Sequence, residues 1–444
     1  METHTLSKRT FSISSHKNYL LTEILESISV KIQQRGAESM KRVLFIRGGF
    51  HKEFAYKTFF RSGNEMIMMD VADSMQLPLA DYQYVINDIR DTEEMYTVAK
   101  KIYKEVGFDG IITFMNSPAT AIGRLSDELG FDYFSEESGK LMSNKFLIRE
   151  KLSSLNENLV RYTKVTSLEE AYEAAEKLGY PWVLKPTDTA SSIGVSVIHN
   201  KDEIAKAYEF TIKASFNKCL IGEEFITGEE HCAELIVIEG QPYVLGISKK
   251  IIDENSGCIE LIDITPAPRY NEIYEEAKRY FSKVGKLLDI RNWMIHIEFK
   301  AEDGKIRIIE LNPRVAGANI AESEWHLRNF NIYDLLYKTI LKEKIDVEEL
   351  ERKIQMPHKG YTAFYSYITP HKEGVIKKIN GMRQVRETMG QKERINSYVK
   401  EGEHIKLPAS NADFRGAIYT MGDDYKELME RVKKVESSID YEIE

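Results

Sequence analysis

The stretch that decides the fold reads Trp293-Met-Ile-His-Ile-Glu298-Phe-Lys300, then Ala301-Glu-Asp-Gly304, then Lys305-Ile-Arg-Ile-Ile-Glu310-Leu-Asn312-Pro-Arg314. Both arms are β-branched and apolar runs of strand length, and the Asp-Gly between them is a strong hairpin signal. Side chains alternate along a strand, so His296 and Glu298 share one face of the first arm, and Glu310 and Asn312 one face of the second. Whether the two faces coincide depends on the turn. A two-residue Asp303-Gly304 loop would set Glu298 opposite Ile309 and send the carboxylates to opposite faces. A three-residue Glu302-Asp303-Gly304 loop, with Gly304 at the left-handed bulge position, sets Glu298 opposite Ile308 and diagonal to Glu310. We expect the three-residue loop. Two carboxylates and an amide oxygen on one face are hard ligands, better suited to Mg²⁺ shared with phosphate oxygens than to zinc. Arg314 follows Pro313 and offers a fork of donors that matches a carboxylate or phosphoryl group. Spacing alone allows a solvated charged hairpin face equally well.

The chain has 444 residues, which implies two or three domains. Hydrophobic content of 42% and charged content of 30% are ordinary for a globular protein. With 61 basic against 70 acidic residues and a formal net charge of -9, there is no basic footprint for nucleic acid. No apolar run reaches the length of a membrane span. Thr3, His4, Ser7 and Lys8 lead into polar sequence rather than a signal-peptide core, so a cytoplasmic location is expected. Cys219, Cys232 and Cys258 lack metal-ligand spacing and read as reduced packing residues.

Residues 1–39 are polar with a weak helical stripe and read as an extension. Met40-Lys-Arg-Val-Leu-Phe-Ile46-Arg-Gly48-Gly49 then has the profile of a buried strand entering a glycine turn, too short of glycines for a dinucleotide fingerprint. Strands near 66–71, 84–86 and 110–114 alternate with helices carrying Met95, Val98 and Ile102, and Ile122, Leu125 and Leu129, which implies a parallel sheet. In the middle of the chain, Asn144-Lys145 begins a helix, and Tyr180-Pro-Trp-Val-Leu-Lys185-Pro186 is a strand ending in a lysine. The polar loop Thr187-Asp-Thr-Ala-Ser191-Ser192-Ile-Gly194 follows. An ammonium, hydroxyls and backbone N–H groups suit polyphosphate, although this is not a Walker loop.

Glu310-Leu-Asn-Pro-Arg-Val-Ala-Gly317 resembles the signature of ATP-grasp carboxylate ligases, a family that includes biotin carboxylase and the L-amino-acid ligases. The resemblance covers nearly everything after Met40 and is densest from Lys145 to Gly317. It implies an α/β and α+β architecture: an N-terminal parallel-sheet domain over 40–135, a two-lobed ATP-grasp domain over 136–350 (lobes about 136–215 and 216–350), and a small α+β domain over 351–444. It implies ATP and two Mg²⁺ ions, with Mn²⁺ as a substitute, and Glu298, Glu310 and Asn312 as metal ligands. Lys145, Lys185, Ser191, Ser192 and Gly194 would meet the phosphates. Glu223, Glu224 and Ile226 would form the adenine hinge and Glu230 would hold the ribose. Arg314 and Lys185 would be catalytic, with Arg314, Gly317 and His231 near the acyl substrate. For His231, a satisfied structural histidine is an equal alternative. Lys249-Lys250 is a weaker phosphate candidate. Residues 251–268 resemble a loop over the active site, and Trp325 reads as core.

The activity implied is ATP-dependent joining of a carboxylate, an amino acid, to an amine. A carrier-protein thiol or hydroxyl as acceptor, and a non-catalytic nucleotide-binding protein, are the rival expectations. Small-molecule substrates are the expected partners, with a homodimer compatible and neither nucleic acid nor membrane. No residue stands out as the base for the amine.

Overall fold

The computed structural model describes residues 40–49, 52–367 and 372–444; the extension over 1–39 lies outside the described residues. The first sheet holds β1 (Arg42–Ile46), β2 (Glu65–Val71), β3 (Tyr82–Ile86) and β4 (Gly110–Ile112). Its order is β3-β2-β1-β4, every pairing parallel. Helices Glu53–Ser62 and Thr92–Glu105 cross over from β1 to β2 and from β3 to β4, while a third helix, Ala119–Leu129, follows β4; parallel neighbours require such crossovers. Local chemistry sets their ends: the Asp91 carboxylate accepts from the Glu94 N–H, and a left-handed Gly130 closes the third helix.

The second sheet is antiparallel, in the order β5-β8-β6-β7, from β5 (Tyr162–Val165), β6 (Trp182–Pro186), β7 (Ser196–Ile198) and β8 (Leu220–Glu224). A compact core with Trp182, Leu184 and Ile198 lies beneath it.

The third sheet carries β9 (Glu229–Ile238), β10 (Gln241–Ile252), β11 (Glu260–Thr265), β12 (Trp293–Glu302), β13 (Lys305–Asn312), β14 (Tyr361–Tyr367), β16 (Arg394–Ser397) and β18 (Gly416–Gly422). Its order is β13-β12-β9-β10-β11-β14-β18-β16. The stretch expected to be a loop over 251–268 therefore contains a strand. Ile262 and Ile264 alternate with Asp263, and the apolar pair packs into the core beneath the C-terminal strands. Since β11 pairs with both β10 and β14, one sheet runs without a break from the hairpin into the C-terminal part of the chain. Strands β15 (Gly374–Asn380), β17 (His404–Ile405) and β19 (Asp440–Ile443) form a separate small sheet.

The hairpin itself corrects the expected turn. Glu302 pairs with Lys305, so the loop has two residues, Asp303 and Gly304, both with positive φ (49° and 72°), the geometry favoured in two-residue hairpins. The carboxylates nonetheless share a face, because the ladder skips Ile309: Phe299 pairs with Ile308, whereas Glu298 pairs with Glu310 and His296 with Asn312. A one-residue bulge in β13 does what the longer loop was expected to do.

The hinge before β9 is held against the tip of this hairpin. Thr227 Oγ1 donates to Glu302 at 2.5 Å, and a Cβ on Gly228, whose φ is +100°, would sit 2.7 Å from the Ala301 carbonyl oxygen. Gly228→Ala therefore adds a backbone collision to a left-handed strain of roughly 1–2 kcal/mol. We expect a loss of stability beyond that range in urea unfolding, and an unchanged midpoint would show that the hinge is free to move off the hairpin.

Candidate active site

Between the second sheet and the hairpin lies an open cleft lined by both apolar and charged side chains. Lys145 and Lys185 line one side, and Glu298 and Glu310 the other; Ser192 and Glu230 also reach it. Asn144 caps the helix Lys145–Ser153 by accepting from the Phe146 and Leu147 N–H groups, which fixes Lys145 at the first turn. From there the Lys145 ammonium sits 2.9 Å from Glu310 and donates to the Thr189 carbonyl. Lys185, 5% exposed, is held by Glu223 at 2.7 Å. Arg149 grips the same carboxylate at 2.7 Å and donates to the carbonyls of Ile308 and Ile309 at 2.8 and 3.3 Å. Burial pushes the Glu223 carboxyl up, but these two cations bring it down to about 2.

The acidic face of the hairpin is organised from behind. His296 Nδ1 lies 2.6 Å from Glu234 and its Nε2 lies 3.4 Å from Glu298, while Glu234 also accepts from the Ala316 N–H at 3.0 Å. Burial works against a charged His296, yet these two carboxylates raise its proton affinity. Glu298 is driven up by burial but more strongly down by the charges of Lys250 and His296, and it stays ionised. Asn116 joins two expected site residues, its Nδ2 donating to Asn312 and its Oδ1 accepting from Arg314 Nε at 2.9 Å.

Several expected residues stand elsewhere. His231 is adjacent to Glu230 on β9, so alternation turns it to the opposite face. There it stacks on Phe299 with ring centroids 5.6 Å apart, its Nδ1 lies 3.0 Å from the Glu229 carbonyl oxygen, and burial lowers its pKa to about 4. It is a neutral core residue and not a substrate contact. The Glu224 side chain pairs with Arg161 at 2.9 Å, and its N–H donates to the Arg161 carbonyl at 3.0 Å. Ile226 lines the cleft. At Gly194 an added Cβ would lie 2.5 Å from that of Ala214, so the loop is packed tightly there. Ser191 faces the C-terminal part of the chain, its carbonyl accepting from the Asn411 N–H at 3.1 Å. Gly317 is exposed, with open space where a Cβ would stand. Trp325 is half-buried against Phe54.

The weaker phosphate candidates Lys249 and Lys250 part company, and Lys300 is a further cation that had not been anticipated. Lys249 turns out to Glu229 at 2.5 Å, while Lys250 is buried with Glu260 and Asp263, the latter 3.5 Å away. Lys300 lies over the Phe225 ring at 4.7 Å and 3.9 Å from Glu230. Strand alternation carried the signal for both, since Lys250 shares a face with Cys232 and Glu230, and Lys300 pairs directly with Glu230.

Among the described residues no group of three or more His, Cys, Asp or Glu forms a metal site. Two carboxylates with an amide do suit Mg²⁺, which takes one or two protein carboxylates and completes its shell with water and phosphate oxygens.

Residues 178–322 match the model of the ATP-grasp domain, and residues 366–444 that of the L-amino acid ligase C-terminal domain 2. The chain carries an ATP-grasp domain followed by an L-amino acid ligase C-terminal domain. An L-arginine-specific L-amino acid ligase of Bacillus subtilis is 23% identical over 356 residues, 78% of this chain and 84% of that one. A D-alanine–D-alanine ligase of Fervidobacterium nodosum is 24% identical over 323 residues, 69% of this chain and 96% of that one. The crystal structure of an L-amino acid ligase from Bacillus licheniformis superposes with a TM-score of 0.78 at 20% identity, covering 92% of this chain and all of that one. The ATP-grasp fold accounts for the cleft lying between two sheets. No helix among the described residues is long and apolar enough to cross a membrane.

Burial and the neighbouring Glu298 raise Glu230 to about 7 from an ordinary 4.5. The folded state thus keeps a proton that the unfolded chain has released. The stability this group contributes is fully present below 4.5 and declines as pH rises towards 7. Melting temperature of the parent, measured relative to Glu230→Gln, should fall across that window and then level. Parallel profiles would mean that Glu230 titrates as an exposed carboxylate.

Proposed function

We propose that the protein is an ATP-dependent ligase that activates the carboxylate of an amino acid as an acyl phosphate and joins it to an amine, releasing ADP and phosphate. One observation carries the reading: Glu298, Glu310 and Asn312 occupy one sheet face, opposite Lys145 and Lys185 and linked through Asn116 to Arg314. The ligase C-terminal domain and the amino-acid ligases among the relatives support the same chemistry. The work divides along the boundaries drawn from the sequence, with nucleotide on 136–350 and the acyl and amine substrates between that unit, residues 40–135 and residues 351–444. A cytoplasmic location accords with this activity.

A carboxylate is a poor acyl donor because its leaving group is hydroxide-like, and phosphorylation replaces that group with phosphate. Glu298, Glu310 and Asn312 would hold Mg²⁺, as two ions, whose chemistry is to neutralise phosphate oxygens. Lys145 and Lys185 bind those oxygens from the other wall, and Glu223 keeps the Lys185 ammonium extended across the cleft. Val183, Val197 and Ile226 provide apolar walls for the base, and Glu230 is placed to accept from ribose hydroxyls. Arg314 stabilises charge on the phosphoryl group and then on the tetrahedral intermediate.

Glu310→Ala should abolish Mg²⁺-dependent ADP formation. Arg314→Lys keeps a charge but loses the fork, so ATP should still bind while acyl phosphate formation falls by about 10²–10³, the usual worth of one oriented donor. ATP binding and single-turnover ADP formation with saturating amino acid separate the two effects. Parent-like turnover in either variant would sink the proposed mechanism, and phosphate release that ignores the amine supplied would point to another acceptor.

A further inference from the structure

The ligation step needs a group that takes a proton from the amine, and Glu230, the cleft-lining carboxylate with a raised proton affinity, is the one placed at the ribose. Lys52, at the start of the helix Glu53–Ser62, is far from that cleft in sequence terms and is 4% exposed. No carboxylate pairs with it among the described residues. It donates to the Ala316 carbonyl and lies 3.1 Å from the Tyr333 hydroxyl, with the Phe114 and Tyr333 rings 5.3 and 5.7 Å away. Those two oxygens are the polar partners of the Lys52 amine among the described residues, and neither carries a charge that would hold it protonated. Its carbonyl partner is only two residues beyond Arg314, so the amine and the proposed oxyanion-binding guanidinium share one buried neighbourhood.

We propose that Lys52 is the general base of the ligation, accepting the proton released when the substrate amine attacks the acyl phosphate. This rests on the ligase reading given above. The amine lone pair forms the C–N bond, its proton passes to Lys52 Nζ, and the C–O bond to phosphate breaks with its electrons leaving on the phosphate. Lys52 returns to its neutral state by giving the proton to the departing phosphate or to water. The surroundings suit the task. Burial first and the positive charge of Arg314 second lower Lys52 to about 7, while Glu234 and Glu53 oppose them more weakly; Tyr333 and Tyr56, buried beside it, have their own hydroxyl pKa values raised and stay neutral. Anionic charge arriving on Arg314 cancels the repulsion, so the proton affinity of Lys52 rises as the intermediate forms.

The test compares two acceptors for one acyl phosphate. Hydroxylamine is a weakly basic nucleophile, neutral near pH 7, and forms a hydroxamate without a base; an amino-acid amine does not share that freedom. In Lys52→Met, dipeptide formation should fall by about 10² or more, as for loss of a general base, with hydroxamate formation essentially unchanged. The parent's acid limb, set by a group near 7, should vanish from the residual dipeptide activity. Lys52→Arg, which holds a permanent charge and supplies no base, should show the same split, and a ¹³C-lysine NMR titration of the ligand-free parent should contain one resonance near 7 that is missing from the variants. Parallel loss of both products in both variants, an unchanged dipeptide rate, or a Lys52 resonance titrating like a surface lysine would overturn the assignment. A parent that makes neither hydroxamate nor ADP with any amino acid would refute the ligase reading itself, and this inference with it.

Discussion

Much of the site hangs on one buried carboxylate. Glu223 receives Arg149 and Lys185, and the same two cations reach the Ile309 carbonyl, Lys185 from 3.4 Å. A helix, the second sheet and the irregular point of the hairpin are thus pinned at one place. Removing one partner of such a group leaves an uncompensated buried charge, typically at a cost of about 3–5 kcal/mol. The arrangement keeps the Lys185 ammonium at a defined depth in the cleft that Glu298 and Glu310 also line, without collapsing onto them.

The hairpin arms were legible because they depend on local pattern: two apolar runs, an Asp-Gly and a proline stop. So was the parallel sheet, signalled by the apolar runs near 66–71, 84–86 and 110–114. The turn was not, because Glu302 suits a loop or a ladder equally, and the bulge that restores the face answers to Arg149 and Lys185, more than 120 residues earlier. His231 was a different failure. Alternation already forbade Glu230 and His231 from sharing a face, and the period-two rule applied one strand earlier would have removed it. Lys52 had no sequence signal at all, since its hydrogen-bond partners lie 264 and 281 positions away.

The strand β11 alters how the parts communicate. A loop would have left the C-terminal part joined by little more than its linker, whereas paired backbone on both sides makes the sheet one mechanical body. The C-terminal Asn411 adds to this: its N–H donates to Ser191 and its side chain accepts from the Glu260 N–H at 2.9 Å. It therefore touches both the loop before Gly194 and the strand next to Lys250. Residues remote from the nucleotide can influence it through these two contacts.

The bulge also bears on solubility. Strand β13 is an outer strand of a long sheet, and a straight outer strand offers a ready template for pairing with another chain. Here the row of backbone groups is broken at Ile309, the Ile308 and Ile309 carbonyls are occupied by Arg149, and Lys305 and Arg307 stand along the same strand. A second copy of the chain meets an interrupted, partly filled and charged border there, so the irregularity that aligns the two carboxylates also guards the sheet against edge-to-edge aggregation.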